Sequence, residues 1–284
     1  MTLDEIIKNC YDLHLHIGSE ILPRKYRTDN LVKELSGKIS GCVLKNHFYP
    51  TAPLIPSDCA DLDIFGSVVL NRFCGGPNPD AIYASALIAP KPLFVWLPTI
   101  HSAQFLKESK FEIPPEWTGN PNFQSRLSSA ILPVEITKAS IQPVIKAVKD
   151  VGGVLCTGHI SWQESVMVAE ESLKNGLSKI IITHPIYQRI DMPVDIQKEL
   201  ASVGCFIEQC YSMITIDNIP AAKIAEQILE VGSEKIVLSS DVGQLHSTAA
   251  DSAMRNFAQI LMNEGIGIEK IKMMMVDNPK KIIA

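Results

Sequence analysis

Eight short apolar runs recur along the 284 residues, and they constrain the fold more than any other feature. They read YDLHLHIG, GCVLKNHFYP, IFGSVVLNRF, LFVWLPTI, GGVLCTGHI, KIIITHPI, GCFIEQCYS and KIVLSSDVG. Most are separated by segments with apolar residues at helical spacing, such as SIQPVIKAVKDV, VDIQKELASV and AAKIAEQILEVG. Short continuous apolar strands that alternate with amphipathic helices predict a parallel sheet with helices packed over it. Eight such units predict closure into a (β/α)8 barrel, for which roughly 250 residues is typical. A doubly wound open sheet is the alternative, but no GxGxxG or phosphate-binding loop follows any of the runs.

Local signals place the boundaries. Ser161 and Glu164 in SWQE form a predicted capping box, and Gly152, Gly153 and Gly204 fall where helices must stop before strands. The region from His101 to about Thr137 contains IPPEWTGNPNFQS and is predicted to be an insertion after the fourth strand. No linker-like segment divides the chain, so residues 1–284 are expected to form a single domain.

Composition narrows the partners. A net charge of -5 with scattered lysines argues against nucleic acid, which needs a basic face. No segment approaches the ~20 apolar residues of a membrane span. The start, MTLDEIIKNC, lacks the basic and apolar regions of a secretory signal. The seven cysteines are odd in number and form no CxxC, so a cytoplasmic location is expected, with neither a disulfide framework nor a cysteine-built zinc site. Homo-oligomerisation stays open, and the expected partner is a small-molecule substrate.

The polar residues inside the runs then carry the functional reading. On a regular strand Asp12, His14 and His16 share one face, and burying them is costly unless a partner such as a metal ion compensates. His159 ends the fifth run, His184 the sixth and Asp241 the eighth, while Lys45 and His47 share a face near the end of the second. Functional groups of parallel barrels gather at the carboxyl ends of their strands. Closure would set the eighth strand beside the first, and hence Asp241 beside His14 and His16. Imidazoles with a carboxylate suit zinc or a similar divalent ion, which lowers the pKa of its water to roughly 7. His184, before Pro185, is biased towards an extended backbone and is either a further ligand or a positioned acid. Arg72, Glu208, Gln244 and His246 lie near strand ends as weaker candidates. Asp12 is expected to steady the first strand or to bond a ligand histidine. Trp96, Trp117 and Trp162 read as packing residues, and Met273–Met275 as a buried or half-buried helix face.

With DLHLH on the first strand, GHIS at the fifth, His184 at the sixth, DVGQ at the eighth and a closing DNPKKIIA, the chain resembles the amidohydrolase superfamily over nearly its whole length. That resemblance implies a distorted (β/α)8 TIM barrel, one or two divalent metals and usually hydrolysis of an amide, ester or related bond. It implies metal ligands at His14, His16, His159, His184 and Asp241, with Asp241 and His184 catalytic. One departure stands out. Two-metal members usually bridge their ions with a carbamylated lysine or a glutamate from the fourth strand, and LFVWLPTIHS has neither. Either one metal is bound or the bridge has moved. An inward Lys45 would have to be carbamylated, deprotonated, or far enough off to hold a substrate anion; the last is the expectation, with His47 and Gln244 also lining the substrate site. The expected activity is a metal-dependent hydrolase. The alternatives are a metal-dependent non-hydrolytic decarboxylase and a catalytically inactive small-molecule-binding barrel.

Overall fold

Each of the eight apolar runs becomes a parallel strand in this computed structural model, which describes residues 1–20, 23–90, 92–108 and 132–284. The strands are β1 (Tyr11–His16), β2 (Gly41–Lys45), β3 (Asp63–Phe65), β4 (Ser67–Val69), β5 (Phe94–Trp96), β6 (Val154–Cys156), β7 (Ile180–Ile182), β8 (Phe206–Cys210) and β9 (Ile236–Ser239). The third run is divided at Gly66, with β3 pairing to β2 and β4 pairing to β5. From β4 to β9 the order in space is the order in the chain. The hydroxyls of Thr51 and Ser67 both donate to Leu44 O, tying β4 to β2 across the break. At the other seam Asp241 N donates to His14 O and His16 N to Val242 O, each at 2.9 Å, joining the end of β9 to β1.

The helices are α1 (Leu3–Asn9), α2 (Leu31–Leu35), α3 (Pro79–Ala86), α4 (Ala103–Glu108), α5 (Lys138–Asp150), α6 (Trp162–Lys174), α7 (Val194–Ser202), α8 (Ser212–Thr215), α9 (Ala221–Val231), α10 (Ala250–Asn263), α11 (Ile268–Lys272) and α12 (Asn278–Ile283). The Ser161–Glu164 capping box opens α6, with Ser161 N donating to Glu164 Oε2 at 2.8 Å. The insertion after β5 begins with α4, and Ser102 pairs with Val134 at its return. Its middle, including Trp117, lies outside the described residues. No helix of the described residues is long and apolar enough to cross a membrane.

The core has an inside and an outside, as strand alternation demands. Tyr11, Leu13, Val43, Phe94, Trp96, Val154, Ile181 and Val237 fill the interior, with Ile282 of α12 joining them. Cys42, Leu44, Leu15 and Ile17 face helices instead. This corrects one sequence expectation. The β1–β2 register shifts between Asp12 and Leu15, so Leu13 and His14 both point inwards and Asp12 faces outwards. Asp12 therefore does not share a face with the two histidines. It accepts from Ser240 N at 2.9 Å and His14 N at 3.2 Å, and so steadies the main chain of the β1–β9 seam.

At the opposite end a π-helical turn, Met273–Asp277, buries Met274 and Met275 and leads into α12. Asn278 is fully buried, and its Nδ2 donates to Ser233 O at 2.8 Å and Ile236 O at 2.7 Å. The Asn-Pro pair thus fastens the terminal helix to the start of β9. Asn278→Ala would strand two carbonyls and is expected to cost about 2 kcal/mol. Urea unfolding should show a lower midpoint with an unchanged slope; an unmoved midpoint would remove this anchoring role.

Candidate active site

The carboxyl ends of the strands bring the sequence candidates into one place. Asp241 Oδ1 stands 3.0 Å from His14 Nε2 and 3.0 Å from His16 Nε2. The Ser212 hydroxyl donates to the other oxygen, Oδ2, at 2.6 Å. Ring centroids are 5.5 Å apart for His14 and His16, 5.8 Å for His14 and His184, and 5.0 Å for His159 and His184. Among the described residues, the Nδ1 atoms of His16, His159 and His184 are buried without a hydrogen-bond partner, which leaves them open to a group that is not protein.

Two backbone features aim these groups. His184 and Asp241 both adopt positive φ, +26° and +50°, which is uncommon for residues other than glycine. For His184 this departs from the extended backbone that Pro185 was expected to impose. The glycines of the GH and DVG motifs are steric necessities. A Cβ on Gly243 would lie 2.2 Å from His16 O, and one on Gly158 would lie 2.3 Å from Leu97 O. The loops that carry Asp241 and His159 can approach the neighbouring strands only because those side chains are absent.

A cavity of ≈ 150 Å³ opens over this cluster. His16, His47, His159, His184, Asp241 and Gln244 line it, together with Tyr187, Ser212, Met213, Ile216 and Asp217. His47 Nδ1 is 2.9 Å from Thr99 Oγ1, and the ring lies 4.7 Å from that of His16. Gln244 Oε1 is buried without a partner. His14 and Lys45 do not line the cavity and lie beneath it. Arg72 and His246 are exposed and do not line it either.

The layer below the cavity holds what the strand pattern did not reveal. His14 Nδ1 is 3.2 Å from Glu208 Oε2, and Lys45 Nζ is 2.7 Å from His14 Nε2 and 5.3 Å from the centre of Trp96. Glu208 is therefore the outer partner of His14 rather than a wall residue. Its only sequence signal was a lone carboxylate inside an apolar strand; Ser212 had none. Cys210 Sγ also approaches His14 Nδ1, at 3.9 Å, and His14, Glu208 and Cys210 form a second trio with metal-ligand character. Burial pushes the Cys210 thiol well up, and Glu208 already holds Nδ1, so the trio is a support for His14.

Electrostatics separates the imidazoles. Burial disfavours charge on all of them and holds His16, His47 and His159 well below their usual range, and His184 at about 4. For His14 burial is outweighed by Asp241 and Glu208, and its pKa is pushed up to about 9. Burial also drives Lys45 down from its usual range, with Asp241 and Glu208 opposing, and its Nζ meets the same His14 nitrogen that faces Asp241. Asp241 stays ionised, because His14 and His16 outweigh its burial.

Residues 9–208 match the family described as Family of unknown function (DUF6282). The chain belongs to that family. No curated protein matches this DUF6282 member in sequence. Among solved structures it is similar to a dihydroorotase, with 11% identity and TM-score 0.56 over 97% of this chain and 71% of that one. An amidohydrolase from Pseudomonas aeruginosa aligns at 11% identity and TM-score 0.54, covering 100% and 98% of the two chains. A putative 2-pyrone-4,6-dicarboxylic acid hydrolase from Pseudomonas putida gives 12% and 0.51, with 97% of each chain covered. The DUF6282 chain thus has the fold of amidohydrolase-superfamily proteins.

Ligation at His14 Nε2 requires its proton to leave, whereas the other imidazoles are already neutral. Zinc affinity of the metal-free protein should rise about tenfold per pH unit between pH 6 and 9, reflecting one released proton. Competition with a chromophoric chelator would measure this. A flat affinity across that range would mean that His14 is not the protonated member of the cluster.

Proposed function

We propose that the protein is a metal-dependent hydrolase of small molecules, acting on an amide, ester, lactone or related bond with one divalent ion, zinc by preference. The observation that carries this reading is Asp241 Oδ1 at 3.0 Å from both His14 Nε2 and His16 Nε2 on the floor of a cavity. One carboxylate, the neutral imidazole of His16, His14 once its proton has left, and the ring nitrogens of His159 and His184 close by form a donor set that fits such an ion. Burial lowers the Lys45 pKa, which eases the repulsion that its ammonium would meet beside a dication. A divalent cation there would supply Lewis acidity, activating water and stabilising negative charge that develops on the substrate.

The chain's own groups divide the remaining work. Asp241 is ionised and faces the cavity, so it accepts the proton of the attacking water and returns it to the leaving group. The Ser212 hydroxyl fixes the plane of that carboxylate. Glu208 holds the His14 ring in orientation from behind. His184 is neutral and lines the cavity, so it orients and polarises the bond to be broken, and His47 and Gln244 bind the substrate from the rim. Lys45 would have to reach past His14 to hold a substrate anion, the role expected of it from the sequence. Small substrates are indicated, because drug-sized ligands usually occupy roughly 300–1,000 Å³.

Purified protein is expected to carry close to one equivalent of zinc or a similar metal. Asp241→Asn should lower turnover of a responsive ester, lactone or amide by about 10²–10⁴, a typical contribution of a general base. Elemental analysis and a hydrolysis panel provide the check. Protein that holds no divalent metal after zinc-replete purification would defeat the proposal.

A further inference from the structure

Beside the candidate ligand Asp241, the cavity wall holds one other acidic side chain among the described residues, Asp217. Its carboxylate makes no hydrogen bond and no ion pair with the described protein. The loop that carries it is nevertheless fixed, since Gln188 Nε2 donates to Asp217 O at 3.0 Å and Asn218 follows with φ +55°. The carboxylate is half-buried at the cavity wall, so a ligand's donor can meet it there without displacing a protein partner. Burial and, next, Asp241 push its pKa up to about 6, with Arg189 opposing, so it is ionised at neutral pH.

Arg189 is the nearby cation, and it is committed elsewhere. Its Nη1 donates to the Tyr187 hydroxyl at 2.8 Å, and its guanidinium lies 4.6 Å from the centre of the Phe105 ring. It is not a wall residue and forms no ion pair with Asp217. The cavity therefore presents an unpaired acceptor to its contents, and an anionic group placed beside Asp217 would be repelled.

We propose that Asp217 is the recognition group of this cavity and that its substrate carries an N–H or O–H donor, cationic or neutral, that meets this carboxylate. This rests on reading the cavity as the substrate site and names the class of molecule that it takes. Met213 and Ile216 supply the apolar wall beside that contact.

The test is ligand-observed NMR titration of the zinc-treated full chain with acetamidinium, acetamide and acetate. Acetamidinium should bind, tightening as pH rises from 5 to 7 because Asp217 ionises through about 6. Asp217→Asn should weaken it at least tenfold, and Asp217→Glu, which keeps the charge, should restore part of the loss. Acetate should bind no more weakly to Asp217→Asn than to the parent. Failure of acetamidinium to bind, equal binding to Asp217→Asn, or acetate binding that is lost in Arg189→Gln would overturn the proposal; the last would make the site an anion clamp. Metal content measured on the same samples reports separately on the hydrolase reading, so loss of zinc with acetamidinium binding retained would sink that reading alone.

Discussion

The contact on which the site depends is the Asp241 carboxylate lodged between two imidazoles of the first strand. It sits at the seam where the end of β9 meets β1, and the same residue donates its main-chain N–H to His14 O. Closing the ring of strands and assembling the ligand group are thus one structural event. The left-handed backbone of Asp241 and the bare Cα of Gly243 are what allow the chain to turn there without pushing His16 aside. The two imidazoles stand on a rigid strand, and the short loop that carries Asp241 is held against that strand by its own main-chain hydrogen bonds.

Beneath that contact the barrel keeps a charge balance in nearly dry surroundings. Glu208 and Asp241 are both ionised and share one proton-bearing imidazole, His14, while Lys45 is driven towards the neutral amine. Buried carboxylates are expensive at low dielectric unless a cation stands beside them. A dication bound by Asp241 would meet that need, displacing the proton of the ring nitrogen that faces both Lys45 and Asp241.

Much of the architecture could be read from the chain because strands and helices announce themselves by periodicity. The capping box at Ser161, the Asn-Pro start of the last helix and the strand-end positions of His159, His184 and Asp241 were all legible. What escaped depends on geometry that periodicity does not encode. A bulge reverses parity between Asp12 and His14, and no residue type in YDLHLHIG signals it. The unusual φ of His184 overrides the habit of residues that precede proline. The sequence left open whether Lys45 points inwards, and where its flexible stem ends, under His14 and beside Trp96, is a matter of packing that periodicity does not encode. Asp217 lies in a loop after β8 with nothing around it in the sequence to mark it.

The relatives in structure share about a tenth of their residues with this chain, so what they have in common is the ladder and the ring of strand ends. Chemistry has to be argued from the side chains set there. The fourth run, LFVWLPTI, carries neither a lysine nor a carboxylate. Trp96 fills the interior at that level, fully buried, with its ring centre 5.5 Å from that of His14. The volume and the anionic atom that a bridged second ion would require are thus both missing from that strand. Replacing Trp96 with an acidic residue would not by itself recreate them, because it would leave a void beside His14 and bury a third carboxylate near Glu208 and Asp241. This packing is what supports the proposal of a single ion.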